Sequence, residues 1–263
     1  MSHQGILLSW ESVAWELKAW EGSLTVGFYN TTCPRAEETI RNAITTAFEG
    51  KLGVAITTAL NGTNGSAASL IRLHFHDCFV GGCDVSVLLK ASTANPSPEN
   101  NPVFNLRGFE LIDPTKAAVE AICPGVVSCA DILTFTARDA FHLLTTPGAC
   151  LYDVPAGRRD GTVSSFQEAL VNLPPPAFNL AQLKRMFESK NFSLDELITL
   201  SGAHSIGRDH VTPDVLDVQY YTNVLNNRVL FFSDYSLTMQ KLSQFKVLTG
   251  TQGQIRKACS AVN

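Results

Sequence analysis

The chain has 263 residues, 45% of them hydrophobic, with a formal net charge of -4 and a pI of about 5.9. That is enough chain to close one large core, and a single domain is the expectation. The mild acidity excludes the basic footprint of a nucleic-acid binder, and no apolar run approaches the roughly 20 residues that a membrane-spanning helix needs.

The first stretch, residues 1 to 24, carries all three tryptophans, Trp10, Trp15 and Trp20, each followed by glutamate. A five-residue spacing turns about 140° around a helix, so the rings share no face. The apolar run Ile6 to Leu8 is short, has no basic segment before it and meets Glu11, so it does not read as a secretion signal. Seven cysteines nevertheless suit an oxidising compartment, and the glycosylation triplets at Asn30, Asn61, Asn64 and Asn191 point the same way.

From there the pattern is helical. Pro34 suits a first helical position, and Ile40, Ala43, Ile44, Ala47 and Phe48 follow the 3.6-residue period. Ser128 with Asp131 three residues on resembles a capping box ahead of Ile132, Leu133 and Phe135. Ser193 with Glu196 repeats it ahead of Leu197, Ile198, Leu200 and His204, which places His204 at a helix end where Gly202 and Gly207 allow close approach of a bulky group. Gly and Pro clusters at 145 to 149 and 172 to 176 read as loops, strand signals are few and short, and the fold class is mostly α.

The segment SLIRLHFHDCFVGGCDVSVLL, residues 69 to 89, carries the chemistry. Arg72 stands one helical turn before His76, so both side chains leave the same face. A neutral imidazole removes and returns a proton while a neighbouring guanidinium steadies the charge left as a polar bond, such as the O–O bond of hydrogen peroxide, breaks. Asp77, Asp84 and Ser86, with Gly81 and Gly82 between them, are oxygen ligands at short spacing with glycines for tight turns, as a hard cation such as calcium requires. A zinc site from His74, His76, Cys78 and Cys83 is disfavoured, because His-x-His-x-Cys on a helix does not converge on one tetrahedral point.

This run resembles the distal signature of the secretory plant (class III) haem peroxidases, and DELITLSGAHSIGR, 195 to 208, resembles the proximal one. The likeness continues through FYNTTCP (28 to 34), LRGFELID (106 to 113), CPGVVSCADIL (123 to 133), VPAGRRDG (154 to 161) and TGTQGQIRKAC (249 to 259), leaving only the N-terminal tail outside one domain, 25 to 263. The resemblance implies a two-lobed helical fold with haem b between a distal and a proximal helix. It also implies reduction of hydrogen peroxide at the expense of phenolic donors, a place in the response to oxidative stress, secretion and a monomer.

Residue by residue, the resemblance makes His76 the proton carrier, Arg72 the charge stabiliser, and Phe75 a wall of the pocket, with His74 facing away. His204 becomes the axial iron ligand, and Asp234 the carboxylate on its second nitrogen, which raises the ligand's basicity. Ser69 and Arg208 are further cofactor contacts. One calcium ion falls to Asp77, Asp84, Ser86 and the carbonyls of Val80 and Gly82, and a second to Ser205, Asp209, Thr212, Val215 and Asp217. The disulfides implied are Cys33 with Cys123, Cys78 with Cys83, and Cys129 with Cys259. Cys150 is left over, beside the place of a substrate-contacting proline.

The chain departs from that pattern in three places. After Arg208 a cysteine and several dozen residues are absent, a second gap follows Leu237, and an insertion lies near 49 to 66. The missing segment belongs to the proximal side and the donor entrance, so a non-catalytic truncated relative that fails to retain haem is the alternative reading.

Overall fold

A computed structural model describes residues 24–52, 65–144, 152–206 and 228–263. These form eight α-helices: α1 Ala36–Leu52, α2 Gly65–Val80, α3 Phe109–Ile122, α4 Cys129–Leu144, α5 Phe166–Asn172, α6 Leu180–Ser189, α7 Leu194–Ser201 and α8 Arg228–Leu242. Short 3₁₀ turns stand at Ser86–Leu88, Pro102–Phe104 and Gly202–Ile206. Extended pairing among the described residues is limited to the isolated bridges Thr25 to Ala156, Arg159 to Leu248 and Asp160 to Gln254.

The first helix starts later than Pro34 suggests. Pro34 lies in a tight turn closed by the Ala36 amide on the Cys33 carbonyl at 2.9 Å, and α1 begins two residues beyond it. Ala36, Ile40 and Ile44 are its buried stripe, while Glu37 and Glu38 sit in the first turn, where the helix dipole favours negative charge.

Helix α4 is the centre of the molecule: every residue from Cys129 to Phe141 is buried. Only half of its expected capping box forms. The Asp131 amide donates to the Ser128 hydroxyl at 3.1 Å, but the Asp131 carboxylate turns away to accept from the Gly157 amide at 2.7 Å, the Tyr29 hydroxyl at 2.6 Å and the Arg158 guanidinium at 2.6 Å. A fully buried carboxylate is better served by a buried cation than by one amide, which explains the rearrangement. At α7 the full box forms, Glu196 amide to Ser193 hydroxyl at 3.2 Å and Ser193 amide to Glu196 carboxylate at 2.7 Å.

Helix α2 packs against α4 most extensively and also meets α5, α8 and the Gly202–Ile206 turn, while α1 and α3 close the far side of α4 and α6 to α8 pack together. The two groups of helices are therefore joined across α2, a two-lobed helical arrangement. Disulfides link Cys33 to Cys123, Cys78 to Cys83 and Cys129 to Cys259, the partners that the resemblance implies.

Candidate active site and metal loop

From Ala67 to Val80 no residue of α2 is exposed, as expected of a helix that is apolar nearly all round. It holds Arg72 and His76 one turn apart. The Arg72 Nη2 donates to the Phe104 carbonyl at 3.0 Å, and the ring of Phe104 meets His76 edge-on with centroids 5.8 Å apart. Burial and then the Arg72 charge push the His76 pKa down to about 3, so the imidazole is neutral over the whole ordinary pH range. That is the form that can accept a proton.

Phe104 was not legible as a site residue. It belongs to the Pro102–Phe104 turn, capped by the Asn101 side chain on the Val103 amide at 3.1 Å and followed by Asn105 in a left-handed conformation. Phe75 is half-buried and stacks on Phe79 at 4.6 Å, with Phe187 beyond at 6.4 Å. Ser69 is half-buried on the same helix, two turns before His76. His74 lies apart from this face, buried with its Nδ1 3.6 Å from the Cys78 sulfur, and burial followed by the Arg158 charge pushes its pKa to about 3.

On the other side, α7 ends at Ser201 and tightens into the 3₁₀ turn that carries His204. The imidazole is exposed, on an element that packs against α2. Asp234 is exposed on α8, its backbone carbonyl accepting from the Thr238 hydroxyl at 2.8 Å. Among the described residues no hydrogen bond joins His204 to Asp234, so their implied pairing is not made in this structure. The Ser205 side chain, Arg208, Asp209, Thr212, Val215, Asp217 and Cys150 lie outside the described residues.

The loop after α2 gathers negative charge. Asp77 accepts from the Val85 amide at 3.0 Å and the Val87 amide at 3.5 Å, and Asp84 accepts from the Ser86 amide at 3.0 Å. Gly82, at φ +132°, brings the backbone so close to the Lys246 carbonyl that any Cβ would collide with it, which explains glycine beside Cys83. A third acid joins them that no sequence motif marks, Glu99, which is 3% exposed and has a carboxylate oxygen without a hydrogen-bond partner among the described residues. Burial raises all three carboxyl groups: Asp77 also by the charges of Asp84 and Glu99, Asp84 by burial alone, and Glu99 to about 8 with Asp84 contributing.

Such a cluster is short of positive charge. Arg256, fully buried, supplies some of it, donating to the Val85 carbonyl at 2.9 Å and the Asp84 carbonyl at 3.2 Å. Among the described residues no three acidic, histidine or cysteine side chains converge on one point, so an ion here would also need the Ser86 hydroxyl and backbone carbonyls. A cavity of about 390 Å³ lined in part by Leu88, Asn100, Phe109 and Asp113 includes none of Arg72, His76 and His204.

Comparison with known proteins agrees with this geometry. The family model "Peroxidase" matches residues 52–249. "Peroxidase 5" of Vitis vinifera is 37% identical, covering 97% of this chain and 98% of that protein, and "Peroxidase 2" of Zea mays is 38% identical over 91% of this chain and 89% of its own length. The first alignment extends over 340 positions, more than this chain contains, so the relative carries segments that are absent here. The TL29 protein from Arabidopsis thaliana shares the fold at a TM-score of 0.58 and 18% identity, covering 84% of this chain and 97% of that one. On the family match and on relatives that align along nearly all of its length, this chain belongs to the plant peroxidase family.

Proposed function

We propose that this chain is a haem-dependent peroxidase that reduces hydrogen peroxide and oxidises small phenolic donors in one-electron steps, as a secreted, monomeric single domain of residues 25 to 263 that binds two calcium ions. The observation that carries the reading is the pair of a half-buried Arg72 and a buried His76, with its neutral imidazole.

The donor set fits haem. His204 offers an imidazole, the ligand type of peroxidase haem, on the turn that packs against α2, and Gly202 beside it is buried with no side chain to obstruct approach. Asp234, on α8, is the carboxylate that would hold the ligand's other nitrogen when haem is bound. The distal loop likewise suits a hard cation, since burial raises the carboxyl groups of Asp77, Asp84 and Glu99, a bound cation would favour their charged forms, and one Glu99 oxygen lacks a partner among the described residues.

Haem, when bound, supplies the iron at which peroxide is taken up and the electrons that donors later replace. His76 accepts the proton of one peroxide oxygen and returns it to the other, so that the departing oxygen leaves as water. Arg72 sits one turn away with its guanidinium held by the Phe104 carbonyl, and its charge stabilises the oxygen on which negative charge grows. Burial of His76 and partial burial of Arg72 reduce competition from water, which strengthens the electrostatic effect.

The test is an absorption spectrum of the purified chain after haem is offered, followed by mixing with hydrogen peroxide. A five-coordinate ferric spectrum that changes rapidly on mixing is the expected result. A chain that takes up no haem would overturn the proposal and leave the truncated, non-catalytic reading.

A further inference from the structure

We infer that Phe104 is a positioning residue for Arg72 and His76, its backbone carbonyl aiming the guanidinium and its ring fixing the plane of the imidazole, a role that rests on the reading of that pair given above. A histidine that carries protons is ordinarily oriented by a hydrogen bond on its second ring nitrogen, which also selects the tautomer. The His76 ring makes no hydrogen bond among the described residues. What surrounds it is aromatic. Phe104 meets it edge-on, with centroids 5.8 Å apart and planes at 69°, and Phe75, the residue before it on α2, lies 6.4 Å away at 75°. Rotation about the outer bond of a histidine side chain is soft and roughly two-fold, so a ring without a polar anchor turns unless its neighbours stop it.

The Phe104 turn is rigid enough to do so. It starts with Pro102, closes with the Phe104 amide on the Asn101 carbonyl and the Asn105 amide on the Pro102 carbonyl, both at 3.0 Å, and is capped by the Asn101 side chain on the Val103 amide at 3.1 Å. Phe166 stands beyond Phe104 with centroids 5.7 Å apart, and the Phe166 amide donates to the Ser97 carbonyl at 2.8 Å, which ties the start of α5 to the loop before the turn.

Arg72 meets the other end of the same residue, its Nη2 donating to the Phe104 carbonyl at 3.0 Å. The spacing between guanidinium and imidazole is thus referred to one residue outside α2, not left to two independent rotamers. Because the carbonyl belongs to the backbone, loss of the ring frees the imidazole and leaves the Arg72 anchor in place.

The full chain loaded with haem gives the rates that test this. The same chain loaded with zinc protoporphyrin, a diamagnetic probe, reads the ring itself by nuclear magnetic resonance with histidine labelled at its ring nitrogens. Phe104→Ala should slow the first reaction with peroxide by about 10- to 100-fold, the scale on which small misplacements of reacting groups cost rate. It should also broaden or split the His76 ring signals, which are assigned by their loss in His76→Ala. Phe104→Tyr, which keeps the ring, should restore both. Asn101→Ala, which uncaps the turn, should repeat the effect, and Asn101→Asp, which keeps the capping oxygen, should not. Haem uptake should be equal in all four variants, which a general loosening of the fold would not allow. Sharp, unshifted His76 signals in Phe104→Ala would overturn the assignment, and so would a wild-type rate in that variant where His76→Ala is slow. The resonance signals need no peroxide, so they decide the positioning role even where His76→Ala reacts as fast as wild type, the result that would sink the reading of the pair itself.

Discussion

The Arg72 guanidinium is tied to the backbone carbonyl of Phe104 at 3.0 Å, and the same residue's ring abuts His76, so one short capped turn touches both members of the proposed catalytic pair. Because neither contact involves His204, the pair should govern peroxide cleavage and not haem retention. His76→Ala should slow the first reaction with peroxide by about 10²- to 10⁴-fold, the usual worth of a positioned proton carrier, with the ferric spectrum retained. Stopped-flow rates equal to wild type would remove His76 from the mechanism.

His204 carries the complementary expectation. His204→Ala should abolish stable haem binding while leaving the helical content intact, since the exposed side chain contributes little to packing. Titration with haem followed by gel filtration measures it; a variant that co-elutes with haem and shows the wild-type spectrum would mean that another residue is the ligand.

The acidic loop yields a metal prediction. Glu99→Gln keeps the shape of this buried acid beside Asp84 and Ser86 but removes its ability to ionise when a cation binds, and it should weaken binding of calcium, or of terbium as a luminescent substitute, by about 10- to 100-fold, the usual effect of an outer-sphere partner. Unchanged luminescence titration would separate Glu99 from the cation site.

Buried histidine makes stability pH-dependent. The unfolded chain takes up a proton at His74 below about 6.5, which the folded chain refuses until about 3. Stability is therefore intact above 6.5 and is lost as pH falls through that window, by about 1.4 kcal/mol per pH unit for one proton at full effect. His76 adds a second proton of the same sign. Denaturant midpoints of His74→Leu, measured from about pH 7 to pH 4, should fall less steeply than those of wild type, and identical slopes would show that His74 is protonated in the folded state.

Donor selection is the last expectation. The segment missing after Arg208 shapes the entrance used by donors in the family that the sequence resembles, so a small phenol should be oxidised more readily than a bulky one while the reaction with peroxide persists. Steady-state rates with the two donors decide it; equal, rapid turnover of both would make the missing residues dispensable.

What could be read in advance was local. Arg72 and His76 needed only helical spacing, and the Ser193 box needed only a four-residue window, so both are found as expected. Where a local signal competed with a buried partner it failed, as at Asp131, whose carboxylate left its own helix for Arg158 and Tyr29. Pro34 shows a smaller error of the same kind, the chain needing one more turn before α1 begins. Phe104, Glu99 and Arg256 were not legible as site residues because what defines them is a contact with chain far away in sequence.

Arg256 reaches back 171 and 172 positions to the carbonyls of Val85 and Asp84, and Cys259 closes a bond to Cys129. During synthesis the amino-terminal half emerges first, with its acidic loop already made but lacking the cation that clamps it. That loop can close only once Arg256 and Cys259, made long after it, have docked, so its shape is held from outside its own stretch of chain, and a change at Arg256 should loosen the loop while leaving Arg72 and His76 in place on α2.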